Sequence, residues 1–220
     1  MENVVTTGLV LKAFDHSEFD RRLIILTSDF GKITVFAKGV RRQGSKFMAA
    51  SDPFVFGKFR LYEGKNAYNL CDAEIMNYFE ELRLDIEAMC YASYFADIAD
   101  YYTRENNDDI EMLKLLYRCL QALLKEDIDN RLVRAVYELK CLMVNGEFPG
   151  LPDDRRTLNG TAEAIEHIKK SDIRDLFSFR VSDDVLKEIT AIADMYRRRY
   201  IQTTFKSLEV MDELGYNNGS

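Results

Sequence analysis

The sequence predicts an α+β fold, a small antiparallel β-barrel over residues 1–80 followed by an all-helical domain over residues 81–220. Two observations carry this reading. Apolar residues alternate with a period of two in short runs as far as Ala73, then recur every three or four residues from Leu84 onward. A break in charge accompanies that change: residues 1–70 carry a net +4, whereas residues 71–220 carry a net −11. With 220 residues and 47% hydrophobic content, the chain has material for one large or two small cores.

The strands can be taken in order. Thr7 to Phe14 alternates loosely, Arg22 to Leu26 is a short apolar run, and Ile33, Val35 and Ala37 share one face of a third strand. Asp29-Phe30-Gly31-Lys32 supplies the turn between the second and third runs. Phe54 to Tyr62 reads as a fourth strand entered through Pro53, and Gly64-Lys65-Asn66 turns the chain into a fifth, Ala67 to Ala73. Short strands of this kind with no helical pattern between them favour a small barrel, with the OB-fold as leading candidate.

Side-chain parity in the fourth strand puts Phe54, Phe56, Lys58, Arg60 and Tyr62 on one face and Val55, Phe59 and Leu61 on the other. In the third strand, Lys32, Phe36 and Lys38 oppose the apolar face. Cations interleaved with aromatics form a platform on which unpaired bases stack while phosphates are neutralised. The competing reading buries Phe54 and Phe56 under the following domain.

Beyond Leu84 the stripe Ile86, Met89, Cys90, Ser93, Tyr94, Asp97, Tyr101 marks a first helix. Asn107-Asp108-Asp109 offers a cap for a second, running to about Lys125, and Asp129 or Asn130 starts a third that Asn145-Gly146 closes. Glu147 to Asn159 reads as a loop, followed by a helix over Ala162 to Lys169 and an apolar patch at Phe177-Ser178-Phe179-Arg180. Ser182 caps a helix that ends at Arg197-Arg198-Arg199, where cations complement the helix dipole or meet phosphate. Phe205 to Leu214 is a last short helix before the polar tail Asn217-Asn218-Gly219-Ser220.

Several function classes find no support. There is no phosphate-cradling Gly-x-x-x-x-Gly-Lys-Ser/Thr loop, no Gly-x-Gly-x-x-Gly, no Gly-x-Ser-x-Gly and no His-Glu-x-x-His. The acidic pairs Asp108/Asp109, Asp153/Asp154 and Asp183/Asp184 sit where capping and solvation account for them. The expectation is therefore a protein that is not an enzyme, with a hydrolase or nuclease left only to carboxylates gathered from distant segments. Cys71, Cys90, Cys119 and Cys141 form no Cys-x-x-Cys pair, and the expectation is buried, reduced thiols. No apolar run approaches a membrane span, and Met1-Glu2-Asn3 does not open a secretory signal, so the chain is expected to be soluble and cytoplasmic.

The stretch that points to a partner is Ala37-Lys38-Gly39-Val40-Arg41-Arg42-Gln43-Gly44-Ser45-Lys46. Four cations on a glycine-loosened loop can follow a phosphate backbone and displace its counterions. A solvated hairpin loop is the plainer alternative. The candidate DNA-binding set is Lys38, Arg41, Arg42 and Lys46, helped by Lys58 and Arg60.

These residues resemble a known family. Gly8-Leu9-Val10-Leu11, Asp20 through Thr27 with Gly31, Ala37-Lys38-Gly39-Val40-Arg41-Arg42 with Ser45-Lys46, and Asp52-Pro53-Phe54 are similar to the RecO family of bacterial recombination mediators. A weaker likeness continues through Tyr137-Glu138-Leu139-Lys140, Asn145-Gly146-Glu147-Phe148-Pro149 and Phe205-Lys206-Ser207-Leu208. The resemblance implies an N-terminal OB-fold, a helical domain, and binding and annealing of single- and double-stranded DNA in recombinational repair. It also implies a RecR-like partner, the C-terminal tail of the single-stranded-DNA-binding protein SSB, and help in loading the recombinase. An acidic tail ending in an apolar residue calls for an apolar groove edged by cations, and Arg131, Arg134 and Lys140 are the candidate rims. A protein-interaction adaptor that touches DNA only incidentally is the alternative, supported by the acidic remainder and a pI near 5.1.

One departure from the family matters. Many members carry a four-cysteine zinc ribbon before the last helices, but residues 147–181 here contain no cysteine. Apolar packing around Leu151, Leu158, Ile165, Ile168, Leu176 and Phe177 is expected to replace it, with no zinc or other cofactor. Metal analysis of the purified protein should find no stoichiometric zinc; one zinc per chain would overturn this.

Overall fold

The computed structural model describes residues 3–152 and 157–216. Asp153/Asp154, the tail from Asn217 and the first two residues lie outside them. The chain forms two compact units, one of residues up to Glu81 with Ala96–Leu113, the other of Leu82–Phe95 with residues from Lys114 onward. The boundary expected at 80/81 assigns the whole first helix to the second domain, whereas its last turns belong to the first unit.

The first unit is a closed barrel of β1 (Asn3–Asp15), β2 (Arg21–Thr27), β3 (Lys32–Ala37), β4 (Phe56–Glu63) and β5 (Tyr68–Asn77), in the order β1-β2-β3-β5-β4. The order is that of an OB-fold. The barrel is antiparallel, as the sequence predicted, at every pair but one: β3 and β5 run parallel, in the register Val35–Tyr68 and Phe36–Asn69. Five strands in a ring cannot alternate direction all the way round, so one pair must do this.

β1 is longer than expected because it serves two partners. Asn3–Leu9 pairs with β4 and Gly8–Asp15 with β2, and the register shifts between Val10 and Lys12. Such a bulge bends a strand round a barrel. Leu9, Val10 and Leu11 are all buried around it, with Val10 in the barrel core. The core is Val10, Leu23, Ile25, Ile33, Val35, Phe59 and Leu61, each no more than 1% exposed. Gly31 holds the β2–β3 turn at φ +61°, where a Cβ would stand 2.2 Å from the Arg104 carbonyl oxygen. That carbonyl accepts the Lys32 N–H, which docks the turn on residues 104–107.

Parity holds along β4 from Phe56, with Lys58 and Arg60 outward and Phe59 and Leu61 inward. Phe54 is a correction. It precedes the strand at φ +69° and is 4% exposed, and its N–H donates to the Val10 carbonyl at 2.7 Å. Its ring is buried, so it is not part of an exposed platform.

The second unit contains the first part of α1 (Ile86–Tyr102), most of α2 (Ile110–Leu123), and α3 (Asn130–Val144), α4 (Asn159–Lys170), α5 (Asp183–Tyr200) and α6 (Lys206–Glu213). Caps fall where the sequence put them. The Asp129 carboxylate accepts the Arg131 N–H at 2.8 Å, Gly146 leaves α3 at φ +71°, and Ser182 accepts from Val185. α3 is buried continuously from Leu132 to Leu142 and packs against α4 and α5. Tyr91, Tyr94, Phe95 and Tyr137 fill the space beside it, with the Phe95 and Tyr137 ring centroids 4.4 Å apart.

In the segment expected to replace a zinc ribbon, Ile165, Ile168, Leu176 and Phe177 are buried. Leu151 and Leu158 are not; they are 39% and 46% exposed. Lys140 does part of the work instead. It lies on α3, 8% exposed, and its ammonium donates to the carbonyls of Ile168 at 2.9 Å and Ser171 at 3.0 Å, where α4 ends. A helix end leaves carbonyls without internal partners, and a buried cation satisfies several at once. The cysteines also divide: Cys119 and Cys141 are buried, Cys90 is half-buried and Cys71 is exposed on β5.

Replacing Lys140 by Met should cost about 1–3 kcal/mol, the penalty for leaving those carbonyls unpaired. Thermal unfolding reads it as a clear drop in midpoint, and an unchanged midpoint would mean that water serves the end of α4 equally well.

Candidate nucleic-acid interface

The connection from β3 to β4, residues 38–55, carries the basic stretch, and the β1–β2 turn holds its first half. Gly39, at φ +65°, donates its N–H to the Asp20 carboxylate at 2.7 Å, and this backbone bond holds the Asp20 carboxyl below its usual range. The Arg41 N–H donates to the Phe19 carbonyl at 3.0 Å. The Arg41 guanidinium reaches the Ser17 carbonyl and the Asp15 carboxylate, both at 3.3 Å. Arg42 lies 5.4 Å over the Phe19 ring, and Lys38 is exposed beside this turn. Arg21 secures the far end of the connection by donating to the Ser51 hydroxyl at 3.0 Å and the Asp52 carboxylate at 2.6 Å.

The structure does not bring all six predicted cations together. Lys46 leaves the loop in another direction, to the Asp72 carboxylate on β5 at 3.3 Å. Lys58 and Arg60 stand on the outer face of β4, paired in register with Glu74 and Asp72 of β5. Three cations and two acids on the β4–β5 face make a mixed ladder, not a cationic track. Lys38, Arg41 and Arg42 remain grouped at the β1–β2 turn.

Beside that group the structure joins Phe36, which parity had singled out, to Phe14 and Arg22, which it had not. Phe14, Arg22 and Phe36 lie in one row across β1, β2 and β3. Arg22 sits 4.9 Å over the Phe14 ring, and His16 packs on Phe36 with centroids 4.8 Å apart. Phe14 and Phe19 are 42% and 38% exposed. The row therefore offers ring and guanidinium planes on the β2–β3 face, the face on which OB-folds take oligonucleotides. The clue lay in the sequence, in the spacing of Phe14, Arg22 and Phe36, but only the register of three strands makes it a row.

Two further cations near this face are already engaged. Lys12 meets Asp97 at 2.8 Å and Asp100 at 2.9 Å, and Lys32 meets Asp100 at 2.6 Å. Burial alone pushes the Asp100 carboxyl upward, but the hydrogen bonds from Lys32 and Lys12 outweigh it and hold it below the usual range. A shallow cavity of about 270 Å³ opens between this cluster and Phe14, Arg22, Ile24 and Thr34.

The second unit has a groove of its own, about 340 Å³, between α3, α5 and α6. Leu186, Ala191 and Leu208 give it an apolar lining, Arg131 (paired with Asp129 at 2.7 Å), Lys187 and Arg198 bring positive charge, and Asp194 and Asp212 bring negative charge. The expected rim set needs correction. Arg131 and Arg134 both line the groove, but Arg134 is 5% exposed and belongs to its floor. Lys140 does not line it, because its ammonium is committed to the end of α4. Arg197 and Arg198, read from sequence as a helix-end feature, line it as well; both pair with Asp194, at 2.6 and 2.9 Å.

Beneath the groove lies a buried polar network. The Tyr94 hydroxyl donates to Glu138 at 2.5 Å, and Arg134 Nε donates to the same oxygen at 2.9 Å. Burial, reinforced by the Glu138 charge, raises the Tyr94 phenol well above its ordinary value, so it stays a donor. Among the described residues no three His, Cys, Asp or Glu side chains gather to hold a metal ion. Nor is any described helix long and apolar enough to cross a membrane.

Comparison with known proteins agrees across the chain. Residues 1–79 match the family model described as "Recombination protein O N terminal", and residues 83–157 match "Recombination protein O C terminal". The DNA repair protein RecO of Acetivibrio thermocellus is 26% identical over 246 aligned positions, covering 97% of this chain and 98% of that protein. RecO of Clostridium novyi is 25% identical, covering 95% and 93%. RecO of Caldicellulosiruptor bescii is 34% identical over 148 positions, covering 67% and 60%.

Proposed function

Because this chain belongs to the RecO family of DNA repair proteins, we propose that it is a recombination mediator that binds single- and double-stranded DNA, anneals complementary strands and helps load the recombinase. The observation that carries the proposal is the convergence of Lys38, Arg41, Arg42 and Arg22 with Phe14, Phe19 and Phe36 at one end of the barrel. Exposed guanidiniums neutralise phosphates without reading sequence, and the ring and guanidinium planes accept unpaired bases of any identity. Two strands held on such a surface repel each other less, which is all that annealing requires of a protein without an energy source.

The role assigned to the chain is non-enzymatic, cytoplasmic and nucleoid-associated, without zinc. The absence of cysteine from residues 147–181 and the Lys140 ammonium at the end of α4 support the last point. A RecR-like protein is a further partner. The groove of the second unit suits the acidic, apolar-ended tail of SSB, since cations flank an apolar lining with room for an apolar side chain. An adaptor that touches DNA only incidentally is the second reading, favoured by the net −11 beyond residue 70.

Two experiments separate these readings. Arg41→Glu with Arg42→Glu should weaken binding of a single-stranded oligonucleotide at least about tenfold and flatten its salt slope by about two, one per lost phosphate contact. The matching Lys58→Glu and Arg60→Glu pair should do much less, and equal effects would place the interface elsewhere. For the groove, Arg131→Glu with Arg198→Glu should abolish binding of a fluorescent acidic peptide ending in phenylalanine while leaving oligonucleotide affinity unchanged. A peptide that binds both proteins equally would remove the groove from the proposal.

A further inference from the structure

The cations at the basic end of the barrel do not stand free. Asp15, the last residue of β1, receives Arg21 Nε at 3.5 Å and Arg41 Nη2 at 3.3 Å. Midway along the same loop, Lys46 meets Asp72 of β5 at 3.3 Å. Both acids are open to solvent, with side chains 58% and 48% exposed. Neither is the loop's anchor. That task falls to Asp20, which takes the Gly39 N–H, and to Asp52, which takes Arg21. Asp15 thus presents a carboxylate oxygen to a cation of the group at the β1–β2 turn, and Asp72 draws Lys46 away from that group.

We propose that Asp15 and Asp72 are internal competitors for the phosphate backbone, occupying Arg41 and Lys46 in the free protein and reclaiming them as a strand leaves. The inference rests on the reading of the barrel as a nucleic-acid interface and adds how its grip is limited. Exposed ion pairs are weak, so a polyanion displaces them readily at a cost of about two- to fivefold in affinity per pair. A displaced carboxylate draws a cation from solution. Each acid therefore reduces the net release of ions on binding, by about one. A protein that pairs strands has to let the product go, and a waiting internal partner for each cation shortens the time a strand stays bound.

The test is a titration of a single-stranded oligonucleotide at several salt concentrations, with dissociation rates, on the full chain and three variants: Asp15→Asn, Asp72→Asn and Glu18→Gln. Glu18 is exposed in the β1–β2 turn and forms no ion pair among the described residues, so its variant adds the same single positive charge without freeing a cation. Asp15→Asn and Asp72→Asn should each bind about two- to fivefold tighter, release more slowly and show a salt slope steeper by about one. Glu18→Gln should bind only marginally tighter, with the slope unchanged. If both Asn variants behave like Glu18→Gln, only net charge matters and the competition is refuted. Failure of the underlying reading looks different: the Arg41/Arg42 reversal would then leave affinity unchanged as well. Asp72 lies on another strand from Asp15, so a fold defect in one variant leaves the other to decide.

Discussion

The closure of an odd number of strands governs the first unit. Since β3 must pair parallel with β5, β4 is placed between β5 and β1 and never beside β3. The chain leaving Ala37 therefore has to pass β5 before it can rejoin the sheet, which no tight hairpin can do. Residues 38–55 are the barrel's longest connection for that reason. The basic stretch lies on the one segment that topology forces away from the sheet, where backbone groups meet solvent and ligands.

Length alone would leave such a segment loose, and an unordered loop pays heavily in entropy when it binds. Short, directional contacts prevent this here. Asp20 to Gly39, Phe19 to Arg41 and Arg21 to Ser51 and Asp52 fix the backbone at both ends, while Val40 and Phe47 pack on the barrel core. Ordering is thus assigned to groups other than the exposed guanidiniums of Arg41 and Arg42, whose own pairs are weak enough to exchange. The same anchoring explains why Lys46 departs: once the loop has crossed to β5, the nearest carboxylate is Asp72.

How far the sequence reveals this depends on the kind of order involved. The inward set Ile33, Val35 and Ala37, the caps Asp129 and Ser182 and the stop at Gly146 are local, set by periodicity or by a hydrogen bond a few residues away, and they stand where they were expected. What failed was non-local. Phe54 seemed to continue the alternation of β4, but it stands before the strand at positive φ, its N–H is bonded to Val10 and its ring is buried. Lys140 looked like a surface cation because the end of α4 that it satisfies is 28 residues away in sequence. For the candidate site, Arg41 and Arg42 were legible as a cluster. The Phe14–Arg22–Phe36 row was not, because it exists only through the register of three strands.

The second unit shows the converse use of charge. α3 is buried from Leu132 to Leu142, so Arg134 and Glu138 are largely withdrawn from water, and removing such ions from solvent costs several kcal/mol each unless they are paired. They are paired with each other, with Tyr94 and with Arg197 and Asp194 on α5. A hydrophobic substitute would pack at least as well, so stability is a poor reason for keeping them. Their consequence is positional. Asp194 is shared among Arg134, Arg197 and Arg198, and Glu138 meets the first two from below, so these two carboxylates hold three guanidiniums in place at the groove. Because Arg134 and Arg197 are already immobilised from below, an acidic ligand entering the groove meets charge whose ordering cost was met when the chain folded.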